Sequence, residues 1–204
     1  MIGKLLRPGL ALCLVIAAGG AFAQAPQQNF RFGMQFGLTG GGDTLASVRF
    51  TNGSTEKIQA GGLIHAAAGV VWTPTGIPFA GHLMFGYHVD NITADNGDLR
   101  FSRYPIEVLA LYTGAGPLRL GAGLRYVNSP KLSVSIDGQS GANVTYDDTV
   151  GVIVEVGYQI SPRTWLALRG TFEDYKANSL NGSNITAGGT SSGNSVGLYV
   201  GISF

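Results

Sequence analysis

Every second residue is apolar along most of this chain. In "NFRFGMQFGL", Phe30, Phe32, Met34, Phe36 and Leu38 share one face, and Arg31, Gly33, Gln35 and Gly37 share the other. Successive side chains of a β-strand point to opposite faces, so a period of two predicts a strand with two different surroundings. A sandwich strand alternates too, but its apolar face needs a partner sheet to cover it. The period recurs down the chain. It predicts Ile58, Ile64, Ala66, Ala68, Val70 and Trp72 outward, with Lys57, Gln59 and His65 inward. After "TPTGIP", Ile77, Phe79, Leu83, Phe85, Tyr87 and Val89 face out, opposed by His82, His88 and Asp90. Tyr104, Ile106, Val108, Ala110 and Tyr112 oppose Arg103 and Glu107. Leu118, Leu120, Ala122, Leu124 and Tyr126 oppose Arg119 and Arg125. Val150, Val152, Val154, Val156, Tyr158 and Ile160 oppose Glu155 and Gln159. Leu166, Leu168 and Phe172 oppose Trp165, Arg169, Glu173 and Tyr175. "VGLYVGISF" supplies the eighth segment.

Composition decides what the apolar face meets. Charged residues are 12% of the chain, about half the share of a soluble domain, and there are 32 glycines. Outside the first residues, no apolar run approaches the roughly 20 that a spanning helix needs. Hydrophobicity is therefore spread over alternate positions, the pattern of a transmembrane β-barrel. Eight strands are expected, antiparallel and up-and-down, an even number as bacterial barrels require.

The start of the chain gives a compartment. Lys4 and Arg7 precede an apolar stretch from Leu10 to Ala18, and Ala21-Phe22-Ala23 offers small residues for cleavage. Residues 1–23 are expected to be a cleaved signal peptide, 24–28 a short N-terminal segment, and 29–204 the barrel domain. The only cysteine, Cys13, lies inside the leader, which leaves no disulfide or thiol chemistry. Near-neutral charge gives no case for nucleic acid. No cofactor and no metal-ligand spacing is evident among His65, His82 and His88.

Connections alternate in length. "TPTGIP", "TGAGP" and "SPRT" are short, whereas 91–98, 129–147 and 178–193 are longer and polar. Short periplasmic turns and long extracellular loops are the expected asymmetry. Asn52-Gly53 is a strong hairpin signal, so the first two barrel strands are expected to form one long hairpin, kinked at Gly40-Gly41-Gly42. A separate strand over 44–51 would make nine and put the chain ends on opposite sides. "KLSVSIDG" keeps alternating, so the fifth and sixth strands are expected to protrude as well. Pro105 lacks a ladder donor and predicts a local bulge.

The final segment carries a resemblance. Val200, Ile202 and Phe204, with Tyr199 alongside, resemble the outer-membrane assembly signal read by the barrel assembly machinery. That signal often has glycine where this chain has Tyr199. The chain after the leader is similar in plan to the small OmpA/OmpX-like barrels. The resemblance implies the bacterial outer membrane, contact with its lipid and lipopolysaccharide, periplasmic chaperones during biogenesis, and a monomer.

An eight-stranded barrel is just wide enough for side chains to fill. The inward charges Arg31, Arg103, Glu107, Arg119, Arg125, Glu155, Arg169 and Glu173 are expected to form a lumen network, since confined charges must be paired. A turn centred on Pro162 sets Glu155 opposite Arg169, and one centred on Ala115 sets Glu107 diagonal to Arg125. The expected role is structural or surface-interacting, with a plugged lumen and no enzyme activity. A narrow porin-like channel for ions or small solutes is the alternative, and a lipid A-modifying enzyme the third. Some eight-stranded outer-membrane barrels are such enzymes, but no His-x-Ser triplet occurs here. His88, Asp90 and Ser102 are the nearest approach to a hydrolytic trio. The loop "NSLNGSNITAGGTSSGN" is small, polar and expected to be mobile, a place for surface ligands.

Overall fold

A computed structural model describes residues 29–49, 53–94, 97–136, 141–185 and 188–204. The expected signal peptide and the segment 24–28 lie outside the described residues. In chain order the strands are β1 (Phe30–Gly41), β2 (Thr44–Arg49), β3 (Thr55–Gln59), β4 (Leu63–Trp72), β5 (Phe79–Ala94), β6 (Gly97–Ala115) and β7 (Leu118–Ile136). They continue as β8 (Ala142–Tyr146), β9 (Thr149–Ser161), β10 (Thr164–Phe172), β11 (Asp174–Leu180), β12 (Ser183–Asn184), β13 (Thr190–Ser192) and β14 (Ser195–Ser203).

Eight of these strands close an antiparallel barrel in the order β1, β4, β5, β6, β7, β9, β10, β14. The last strand returns to the first, with Phe36 opposite Val200 and Leu38 opposite Leu198. Closure leaves no sheet edge in the wall, which a bilayer requires because lipid satisfies no backbone group.

Burial alternates along every wall strand. Leu198, Val150 and Phe30 are 66%, 64% and 62% exposed, whereas Glu107, Arg103 and Arg125 are 0% exposed. The arrangement is inverted relative to a water-soluble domain: the apolar face is outside and the charges are inside. Aromatic pairs band both ends of the wall. Phe30 with Trp72, Phe32 with Phe204 and Phe79 with Tyr112 lie at the short-turn end, at 6.5, 6.4 and 5.6 Å between centroids. Tyr87 and Tyr104 lie toward the other end, at 5.4 Å. Such girdles mark the two interfaces of a membrane barrel.

Three expectations are corrected beyond the wall. First, 44–49 is a strand of its own, yet it adds no ninth stave. β2 pairs only with β3, in a separate two-stranded sheet. Second, Ile58 points inward and is fully buried, while Lys57 is exposed and Gln59 half-buried. The Ala60–Gly62 turn breaks the ladder and resets its phase, so 58 and 65 both face in although their parities differ. The β2–β3 hairpin therefore folds over the barrel mouth. Ile58 and Ala60 pack with Ile92, Phe101, Leu132 and Tyr175 in one apolar cluster. Third, the long loops are largely built into the sheet. β5 and β6 stay paired to Ala94–Gly97, β8 joins β7 and β11, and β13 pairs with β11.

β7 extends to Ile136, beyond the wall, as its alternation predicts. The irregularity expected near Pro105 falls in the β6–β7 ladder, between Ser102 and Tyr104. Its cause lies across the ladder. Tyr104 pairs with Asn128 and Ser102 with Lys131, so Ser129 and Pro130 together oppose Arg103 alone, a surplus of one residue, and Ser129 takes a φ of 50°.

Candidate functional site

The lumen is filled by side chains that wall geometry aims at one axis. Arg169 on β10 is its hub. Its Nε and Nη2 donate to Glu155 Oε2 at 2.9 and 2.6 Å, and its Nη1 donates to Glu107 Oε2 at 2.7 Å. Nη2 also reaches Gln35 Oε1 at 3.2 Å, and the guanidinium lies 4.2 Å from the centre of the Tyr199 ring. Glu155 sits directly across from Arg169 in the β9–β10 ladder. Glu107 sits directly across from Arg125, not diagonally. The difference arises at the turn, which reverses at Gly116-Pro117 with Ala115 opposite Leu118, and at a one-residue shift between Tyr112 and Ala115.

A second group lies toward the hairpin end. Arg125 pairs with Glu107 at 3.3 Å and with Glu173 at 3.2 Å. Its Nη2 donates to His88 Nδ1 at 2.8 Å, and His88 Nε2 meets the Thr39 hydroxyl at 2.8 Å. Arginine has no acceptor, so His88 Nδ1 accepts, its proton sits on Nε2, and Thr39 receives it. Glu173 also accepts from the Tyr175 hydroxyl. Above them, Arg103 donates to the carbonyls of Ala60 and Gly62 and stacks on Phe101 at 4.7 Å. It thus fastens the folded-over hairpin to the wall.

A third group lies at the short-turn end. Arg119 donates to Gln159 Oε1 at 3.1 Å and to His82 Nε2 at 2.9 Å, and lies 4.8 Å from the Trp165 ring centre. Arg31 is not brought into the network. It lies half-buried at the rim and donates to the Pro162 carbonyl at 3.3 Å. The other seven charges named from parity all face the lumen.

Glycines make room for the large members. A Cβ on Gly37 would strike the Tyr199 ring, and one on Gly201 the Trp165 indole. Sequence reasoning missed Gln35 and Thr39 as members. Both sit at inward parity on β1, and that parity is the signal that could have found them.

The hydrolytic trio is not assembled. His88 and Asp90 face the lumen, but Ser102 occupies the opposite parity on β6, next to the inward Arg103. The residues of the expected assembly signal divide between faces. Val200 and Phe204 are exposed outside, Ile202 is half-buried, and Tyr199 is buried against Arg169.

No protein-family model matches the sequence, and no curated relative does. Solved structures do match. Neisserial surface protein A (NspA) aligns over 87% of this chain and 98% of its own, with 13% identity and a TM-score of 0.50. The fold is that of a small eight-stranded outer-membrane β-barrel. Ail, the attachment invasion locus protein of Yersinia pestis, aligns over 86% of this chain and 97% of its own, at 10% identity and TM-score 0.45. The outer membrane protein AlkL aligns over 93% and 97%, also at 10% identity and TM-score 0.45. In an outer-membrane barrel the short turns face the periplasm and the long hairpins face outward. In that orientation the apolar wall would meet lipid, the β2–β3 hairpin would cover the extracellular mouth, and Arg119 would stand at the periplasmic one.

Proposed function

We propose that this protein is a monomeric outer-membrane barrel with a structural or surface-interaction role, its lumen sealed by arginine–glutamate pairs. The observation that carries this reading is the continuity of the plug. Gln35, Glu107, Arg125, Glu155 and Arg169 reach across the bore from five wall strands, Glu173 joins them from just beyond β10, and each is at most 4% exposed. Charges stay in so confined a space only when paired and hydrogen-bonded, and here each carboxylate meets at least one guanidinium. The folded-over hairpin adds an apolar cap outside the plug. No catalytic group is assigned. Surface binding falls to the extracellular hairpins, since rigid barrels carry recognition on their loops.

Single-channel recording of the refolded protein in planar bilayers tests the seal. The wild type is expected to stay silent, and Arg169→Met is expected to admit bursts of ion current. Steady conductance by the wild type would overturn the sealed lumen in favour of a narrow channel.

A further inference from the structure

On the periplasmic side of the plug the lumen opens into a cleft of about 230 Å³, lined among others by Arg119, Gln159, Pro162 and Trp165. We propose that this cleft binds a small oxyanion, a carboxylate or phosphate, on the Arg119 guanidinium.

Three observations converge. Arg119 makes no ion pair among the described residues, although it is only 3% exposed. Its polar partners, Gln159 and His82, are acceptors without charge. Gln159 is itself locked, because its amide donates to the carbonyls of Ser161 at 2.5 Å and Thr164 at 3.3 Å. That lock orients the guanidinium without neutralising it. Buried donors are also left over. Arg119 Nε and Trp165 Nε1 are buried without an acceptor, Trp165 Nε1 beside Gly201, and the two residues are among those that wall the cleft. Buried polar atoms in folded proteins are nearly always paired, so the side chains that frame the cleft are short of acceptors.

The surroundings favour an anion as the acceptor. The periplasmic connections 73–78, 113–117 and 161–163 hold Arg163 and no Asp or Glu. Arg31 sits at the same rim, bonded to the Pro162 carbonyl that edges the cleft. The nearest lumen carboxylate in the β7–β9 region, Glu155, is committed to Arg169. A mouth of one sign, walled by apolar side chains, focuses potential and draws in the opposite charge. The chemistry selects oxygen ligands. The guanidinium supplies donors only, and its fork matches a carboxylate or phosphate edge.

Intrinsic fluorescence gives a direct test. The chain has two tryptophans, Trp72 and Trp165, so Trp72→Phe leaves Trp165 as the sole reporter. That variant, refolded in the neutral detergent octyl glucoside, is titrated with sodium succinate and with inorganic phosphate, against sodium chloride at matched ionic strength. A saturable change with either oxyanion and none with chloride is expected. Arg119→Gln in the same background should raise the dissociation constant about tenfold or more, since a charge-assisted contact is lost. Lys131→Gln, on the extracellular side, should leave it unchanged. Nanodiscs of phosphatidylcholine and of phosphatidylglycerol separate the two sources of oxyanion. Titration equal in both lipids supports a free periplasmic anion, whereas occupancy by phosphatidylglycerol alone would assign the site to a lipid headgroup and overturn entry from water. If Arg119→Gln fails to fold, the Trp165 indole N–H resonance of the unaltered protein decides between site and no site. A resonance that shifts saturably with oxyanion and not with chloride supports it. One that moves equally with chloride, or not at all, overturns it.

Discussion

Arg169 should be the costliest single charge to remove from this barrel. Its guanidinium serves two carboxylates at once, with Glu155 at 2.6 Å and Glu107 at 2.7 Å. Arg169→Met strands Glu155, which has no other cation within pairing distance among the described residues. Breaking a buried pair by removing one partner costs roughly 3–5 kcal/mol, because an uncompensated charge stays behind. Glu155→Gln is milder. Arg169 keeps Glu107, and the new amide still accepts, so the loss is that of a charge-assisted bond, about 1–3 kcal/mol. The double variant leaves Glu107 with Arg125 at 3.3 Å and no stranded Glu155. It should therefore cost less than the two singles added, by about 1–3 kcal/mol of coupling. The assay is equilibrium urea unfolding of barrels folded into phospholipid vesicles, followed by tryptophan fluorescence and by heat-dependent gel mobility. Additivity within about 0.5 kcal/mol would refute the coupling. A larger cost for Glu155→Gln than for Arg169→Met would refute the hub.

Gly201→Ala should destabilise the barrel by about 1–3 kcal/mol in the same urea assay, because its Cβ would occupy the place of the Trp165 indole. Unchanged stability would mean that the indole packs elsewhere. Arg103→Ala should free the β2–β3 hairpin from the Ala60 and Gly62 carbonyls, and limited proteolysis between 44 and 59 should accelerate while the wall stays protected. Equal cleavage rates in wild type and variant would show that apolar packing alone holds the hairpin. Phe204→Ala should lower outer-membrane levels in cells far more than it lowers refolding yield in detergent, as the assembly-signal reading requires. Normal levels in cells would end that reading.

The wall is legible in the sequence because a period of two reports each side chain's face directly. Arg103, Arg119, Arg125 and Arg169 all lie inward where alternation puts them. The Glu155–Arg169 register is legible too, because "SPRT" leaves little freedom for where a hairpin reverses. Alternation fails where the ladder stops and restarts. The Ala60–Gly62 turn does carry a break signal, the Gly61-Gly62 pair, but parity counted straight through it puts Ile58 on the wrong face. Nothing in a strand's own pattern says that a hairpin will bend over a mouth. That outcome depends on Phe101, Leu132 and Tyr175, which meet only after the wall has closed. The Glu107–Arg125 register differs for a smaller reason, a turn at Gly116-Pro117 followed by a one-residue shift between Tyr112 and Ala115.

The glycine-lined side of the lumen has an evolutionary consequence. Gly37 opposite Tyr199, and Gly201 beside Trp165, mean that the volume of the bore is shared between neighbouring strands. A relative that replaces Tyr199 with a small residue is free to enlarge Gly37, and one that loses Trp165 is free to enlarge Gly201. Drift along this lineage should therefore proceed by paired exchanges across the two seams of the last strand, with β1 and with β10, visible as covariation even where overall similarity has faded.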